Sequence, residues 1–270
     1  MRIGFFILCL YIFNPTYTVL TSTTLKDMIQ HYDRYTPENH EIWGLLFERQ
    51  EKNLQDKACQ DYLNSLELLR TVHHQDAIPE FRALNGKLWA GTGWTIEVVK
   101  GLIPVGEFFE LLSRRRFCSS TWVRRRDQLD YLEEPDMFHD IFGHVPLLMN
   151  PTYADFMQKF GALGVRFQHN PQAVDMLERL YWFTIEFGLM RENGNLRIYG
   201  AGIMSSFGES KQIFEQDMTV HDFDIENIML KPFRKDVMQS EYYAINSFEQ
   251  LWQSLEEAEE LLQKETIAIA

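Results

Sequence analysis

The chain has 270 residues, 45% hydrophobic and 14% aromatic, with 20 Phe and 11 Tyr, enough for one large domain with a full core or an aromatic-walled pocket. A formal charge of -13 argues against nucleic acid or an anionic membrane as partner, because a phosphate surface must be met by a positive one. Cys9, Cys59 and Cys118, odd in number and without a CxxC pair, fit free thiols in a reducing, cytoplasmic compartment and not a disulfide framework or structural zinc site.

Arg2 precedes an apolar run over residues 4–13, too short to span a bilayer and of the length of a signal peptide. No small-x-small cleavage site follows it. Residues 1–28 are thus a leader or an over-extended translation start, with Met28 as the alternative start, and both readings stay open. From residue 29 onward there is no repeat, linker or break in composition, which predicts one domain over 29–255 and an acidic helix end and tail over 256–270.

Thr36-Pro37-Glu38 is a helix start, with a hydroxyl cap and proline at the first position. Trp43, Leu46, Phe47 and Leu54 keep helical spacing. Tyr62, Leu63, Leu66 and Leu69 mark a second helix with Cys59 on its apolar face, and His73 and His74 fall in a polar connection, where they read as solvated. Ile78-Pro79 opens a third helix that Gly91 and Gly93 end. Thr95 to Val99 is β-branched and predicts a strand; Gly101 to Gly106 reads as a loop, and Phe108 to Leu112 as a short helix. Ser120-Thr121-Trp122-Val123 predicts a strand that delivers Arg124. The arginine clusters at 114–116 and 124–126 otherwise read as solvated faces.

Asn150-Pro151 and Asn170-Pro171 punctuate two further helices, and Asn193-Gly194 is a hairpin signal. Small and polar residues from Gly200 to Glu209 predict a loop that a ligand approaches closely. A helix is expected near Asp224, a strand at Tyr242 to Ile245 and an amphipathic helix from Ser247. The class is mainly α, a single domain of packed helices with a few short strands.

Two features carry chemistry. His139 and His144 stand five apart in an apolar segment, and Glu186 interrupts the apolar run Leu180 to Gly188. On an ideal helix, residues five apart are rotated by roughly 140°, so one ion reaches both rings only if the helix is distorted, with Gly143 as the point of relaxation. Two histidines satisfied by Asp136 and Asp140 would be an ordinary core feature. Glu186, flanked by Trp182, Phe183, Ile185 and Phe187, changes the weighing, because a buried carboxylate needs a cation or a proton. Two imidazoles and one carboxylate suit Fe(II) oxygen chemistry and also zinc with one open position. Spacing leaves an oxygenase and a zinc hydrolase both open.

Long motifs then occur in order: Asp33-Arg34-Tyr35-Thr36-Pro37-Glu38, Gly101-Leu102-Ile103-Pro104, Tyr131-Leu132-Glu133-Glu134-Pro135-Asp136, HDIFGHVPLL from His139, LYWFTIEFGL from Leu180 and YGAGIMSSFGES from Tyr199. On these the sequence resembles the pterin-dependent aromatic amino acid hydroxylases, most closely the single-domain bacterial phenylalanine 4-hydroxylases. The resemblance implies a monooxygenase that uses Fe(II), a tetrahydropterin and O2 on the ring of a free aromatic amino acid. Phenylalanine to tyrosine is the first expectation, tryptophan or tyrosine the alternative; a zinc hydrolase or a non-catalytic metal-binding protein is more remote.

The resemblance further implies iron ligands His139, His144 and Glu186. Ile103, Phe108, Asp140 and Tyr181 would meet the pterin, Arg124 the substrate carboxylate, Gly202 and Ser205 the substrate's main-chain groups, and Pro135, Trp182 and Phe187 its ring. Cys118 and Leu132 stand where animal members commonly carry other residues. The short stretch after Gln250 implies a monomer.

Overall fold

The computed structural model describes residues 29–130, 132, 134–234 and 238–269; the readings of residues 1–28 lie outside them. Helix α1 (Pro37–Leu54) begins as its sequence dictates: the Thr36 hydroxyl accepts from the Asn39 N–H, and the Asn39 side chain accepts from the Thr36 N–H. Its buried stripe is Ile42, Trp43, Leu46, Phe47, Gln50 and Leu54. Helices α2 (Gln60–Leu68), α3 (Phe81–Thr92) and α4 (Val105–Ser113) follow, and α3 closes on Gly93 at φ 75°, a left-handed position that glycine adopts without penalty. Asn150 and Asn170 cap α5 (Pro151–Phe167) and α6 (Pro171–Tyr181), each with proline at the start. Helix α5 packs between α4 and the last helix, α10 (Phe248–Ile269), and α10 runs without a break across residue 255.

The strands are short. β1 (Thr95–Val98) and β2 (Arg116–Ser119) pair in parallel. β3 (Leu189–Glu192), β4 (Asn195–Ile198), β5 (Thr219–Asp222) and β6 (Glu241–Ile245) form a sheet in the order β4-β3-β6-β5. β3 and β4 are a hairpin through Asn193 (φ 50°) and Gly194 (φ 79°), both central residues being left-handed as a tight turn of this hand requires. No helix among the described residues is long and apolar enough to cross a membrane.

Three expectations are corrected. The second strand is Arg116–Ser119, and residues 120–125 are irregular. Their polar groups turn elsewhere: the Ser120 N–H donates to Asp140, the Arg124 N–H to Asp136, and the Trp122 carbonyl accepts from Met137 N. The expected loop from Gly200 is two helices, α7 (Ala201–Met204) and α8 (Phe207–Glu215), with Ser206 capping the second; between them lies Ser205. A helix α9 (Ile225–Leu230) is capped by Asp224, as expected. His73 is not solvated but fully buried.

His73 packs against Trp43 (5.8 Å between centroids), Phe47 (5.2 Å) and Phe142 (6.1 Å), and neither ring nitrogen has a hydrogen-bond partner. Burial pushes its pKa down to about 3. The unfolded chain takes up the proton near pH 6.5 and the folded chain only near 3. The stability held by the neutral ring is therefore complete above 6.5 and falls by about 1.4 kcal/mol per pH unit between 6.5 and 3. His73→Phe keeps the aromatic shape and removes two unsatisfied nitrogens. It should raise stability at neutral pH by about 1–3 kcal/mol, with the gain over wild type widening below pH 6.5. Denaturation midpoints at pH 7 and pH 5 check this; equal gains at both would contradict it.

Candidate metal centre

The distortion required of the histidine segment is present. Residues His139–His144 form a π-helix, in which the next donor, Val145 N, bonds the Asp140 carbonyl five residues back at 3.3 Å. An i to i+5 ladder brings residues five apart onto one side, which is why such turns recur at functional sites. The His139 and His144 Nε2 atoms lie 3.1 Å apart, with ring planes at 86°. Gly143 serves close approach and not slack, since a Cβ there would stand 2.8 Å from the Ala201 carbonyl oxygen of α7.

Glu186 ends a second π-helix, Trp182–Glu186, that continues α6, and Phe187 N donates to the Trp182 carbonyl at 3.0 Å. Its Oε1 is 3.1 Å from His144 Nε2 and its Oε2 3.8 Å from His139 Nε2. From behind, Gly200 lets the chain after β4 touch the backbone of Glu186: a Cβ on it would be 2.4 Å from the Glu186 carbonyl oxygen. His139, His144 and Glu186 are all buried, and one ligand atom from each lies within 4.8 Å of the others.

Hydrogen bonding fixes the tautomer of one imidazole. The Ser205 hydroxyl donates to the Ala201 carbonyl at 2.9 Å, so toward His139 Nδ1, also at 2.9 Å, it accepts. His139 therefore carries its proton on Nδ1 and turns the Nε2 lone pair inward. Burial pushes its pKa down to about 3, which keeps the ring neutral as metal binding requires. A neutral imidazole, a second imidazole and a carboxylate converge on one point, the demand that a divalent cation meets. The residues fit a mononuclear metal.

Asp136 links this centre to Arg124. Its Oδ1 accepts from the His139 N–H at 3.1 Å and from Arg124 Nη2 at 2.8 Å; its Oδ2 accepts from Arg124 Nε at 2.9 Å. Both side chains are buried. Burial alone would raise the Asp136 pKa, but the Arg124 charge and its hydrogen bonds outweigh that and hold the carboxyl below the usual carboxylate range. Asp140 is treated differently: burial raises it well above that range, against the hydrogen bonds that its Oδ2 accepts from Ser120 N and Ser119 Oγ at 3.0 Å. In front of His144 opens a cleft walled by Ile103, Phe108, Phe117, Cys118, Pro135 and Tyr181 among others, with Asp140 on its lining.

Comparison with known proteins gives the chain a family. The sequence profile of the biopterin-dependent aromatic amino acid hydroxylases matches residues 23–268. The chain is a member of that family. A phenylalanine-4-hydroxylase of Ralstonia nicotianae is 48% identical over 228 residues, covering 83% of this chain and 71% of that protein. Two crystal structures of Chromobacterium violaceum phenylalanine hydroxylase are similar throughout. One, with bound oxidized Fe(III), has a TM-score of 0.83 at 45% identity, covering 87% of this chain and 85% of that one. The other, with iron(III) and 7,8-dihydrobiopterin, has a TM-score of 0.82 at 42% identity, covering 92% and 94%.

Within this hydroxylase the residues expected to meet the pterin, Ile103, Phe108, Asp140 and Tyr181, share the one cleft with Pro135 and His144. Phe108 packs edge-on against Tyr181 at 5.5 Å. Ser205 is on His139, and Gly202 is buried in α7, which packs against both π-helices. Trp182 and Phe187 pack together at 4.4 Å beside Glu186, but Phe233 stacks on the Trp182 ring at 4.6 Å, so part of that ring is covered by the chain itself. Arg124 has one edge of its fork committed to Asp136.

Sequence reasoning passed over Asp136, Ser119, Ser120 and Phe233 as members of the site. Asp136 had a signal: an acid three residues before His139 is placed as an N-cap is, to accept a backbone N–H from the first turn. The serines had none, since they meet Asp140 across 20 residues through tertiary structure alone.

Proposed function

We propose that this hydroxylase inserts one oxygen atom of O2 into the ring of free phenylalanine, giving tyrosine, with Fe(II) held by His139, His144 and Glu186 and a tetrahydropterin as electron donor. The observation that carries the reading is the buried donor set of two imidazoles and one carboxylate opening onto an aromatic-walled cleft. When bound, iron and reduced pterin supply the activation of O2 that no side chain provides.

The chain's own residues do the rest. His139, His144 and Glu186 would hold the metal with three donors and leave its remaining coordination to exogenous molecules. Phe108 and Tyr181 offer apolar walls to a flat heterocycle, and Asp140, oriented by Ser119 and Ser120, lines the cleft between that place and His144. Arg124 keeps N–H donors beyond the two taken by Asp136, and a guanidinium so fixed presents them to a substrate carboxylate without reorganising. Trp182, Phe187 and Pro135 form the wall around the ring and exclude water from it. Relatives named for phenylalanine support that ring over tryptophan or tyrosine.

The test is competition. Iron-loaded protein given equal phenylalanine, tryptophan and tyrosine, with tetrahydropterin and O2, should form tyrosine from phenylalanine fastest; preferential hydroxylation of tryptophan or of tyrosine itself would overturn the substrate. We read the working unit as a monomer, and its compartment as a reducing one such as the cytoplasm; the free thiols of Cys59 and Cys118 support the second reading. Light scattering should give the mass of one chain.

A further inference from the structure

A π-helix solves the problem of ligand spacing and creates another, because widening the turn displaces backbone carbonyls from their usual donors. The Phe142 carbonyl lies between the two histidines. In an α-helical register its donor would be the N–H of residue 146, and residue 146 is Pro146, which has none. Phe142 is fully buried, so bulk water does not reach it. The donor is instead the hydroxyl of Tyr62, 2.6 Å away and itself fully buried on α2.

Tyr62 is well held for such a task. At the start of α2, Cys59 N donates to the Ile198 carbonyl at 2.8 Å, and Ile198 N donates to the Lys57 carbonyl at 2.8 Å. Ile198 ends β4, and two residues later Gly200 lies against the backbone of Glu186. Helix α2 also packs on the single 3₁₀ turn Pro146–Met149 that follows the π-helix. The element that carries Tyr62 is thus tied both to the histidine segment and to the strand behind the carboxylate. On the ring side, Phe142 is clamped by Phe47 (5.1 Å) and stacked on Phe138 (4.8 Å).

We infer that Tyr62 is a positioning residue for the metal, fixing the π-helical spacing of His139 and His144 by donating to the Phe142 carbonyl. The inference rests on the reading of His139, His144 and Glu186 as ligands. Tyr62→Phe deletes the hydroxyl and keeps the ring. Fe(II) affinity should then fall by about 10-fold or more, the range seen when groups behind metal ligands are lost. The visible absorption of the Co(II)-substituted protein should change, and more pterin should be oxidised per tyrosine formed.

Tyr242→Phe is the control: its hydroxyl is equally buried but donates to Glu209, at 3.2 Å. It should lower the melting temperature and leave Fe(II) affinity and the Co(II) spectrum unchanged. If Tyr62→Phe also melts lower while both metal readouts match wild type, the hydroxyl is merely structural and the inference is overturned. If wild type itself binds neither Fe(II) nor Co(II), the ligand reading fails first, and the two failures are thereby told apart.

Discussion

Replacing Glu186 by alanine is expected to strip iron and activity from the protein together. The carboxylate is the one anionic member of the donor set, 3.1 Å from His144 Nε2 and fully buried. Groups behind metal ligands cost 10–100-fold in affinity when removed, so loss of a ligand itself should exceed about 100-fold. Turnover should fall below detection at iron concentrations that saturate wild type. The fold should not suffer. Glu186 is a charge that the metal-free protein buries at a cost of several kcal/mol, and the metal-free variant should melt at or above the temperature of metal-free wild type. What disappears is the metal-dependent rise, about 2.7 kcal/mol at 100 times the dissociation constant. Calorimetry with and without Fe(II) checks both halves; turnover at normal iron content would remove Glu186 from the site.

The second large effect is expected at Arg124. Its fork holds Asp136, and Asp136 in turn holds the His139 N–H. A lysine carries the charge but cannot make the two-pronged contact. Arg124→Lys should raise the apparent KM for the amino acid by about 10–100-fold, equivalent to about 1.4–2.8 kcal/mol. Removing the cation altogether, as in Arg124→Ala, leaves Asp136 buried and unpaired and should cost about 3–5 kcal/mol of stability. Steady-state kinetics read the first and thermal melts the second. An unchanged KM in the lysine variant would take Arg124 away from the substrate and leave it a purely structural partner of Asp136.

Much of this architecture was legible in the sequence because local rules wrote it. Thr36, Asn150, Asn170 and Asp224 cap the helices they precede, Asn193-Gly194 turns its hairpin, and Glu186 stood out as a lone acid in an apolar run. The spacing of His139 and His144 required a distorted helix, and the structure has one. Where local rules were overridden, a distant partner did it. Residues 120–123 have strand propensity, but Asp140 and Asp136 take the backbone donors of Ser120 and Arg124, and the segment follows the π-helix of His139 and His144 instead of the sheet. His73 reads as polar and sits among aromatic rings that come from α1 and the π-helix. β5 was missed because its residues, Thr219-Val220-His221-Asp222, are mostly polar and gain their place only by pairing with β6.

The two-imidazole, one-carboxylate set also suits zinc, so the most direct test of the account is the metal's identity. Metal-free protein is reconstituted anaerobically with Fe(II) or with Zn(II), then given phenylalanine, tetrahydropterin and O2, and tyrosine is counted against metal bound. Tyrosine should form only with Fe(II), pterin and O2 all present, at one iron per chain. Tyrosine formed with Zn(II), or with O2 withheld, would contradict the account.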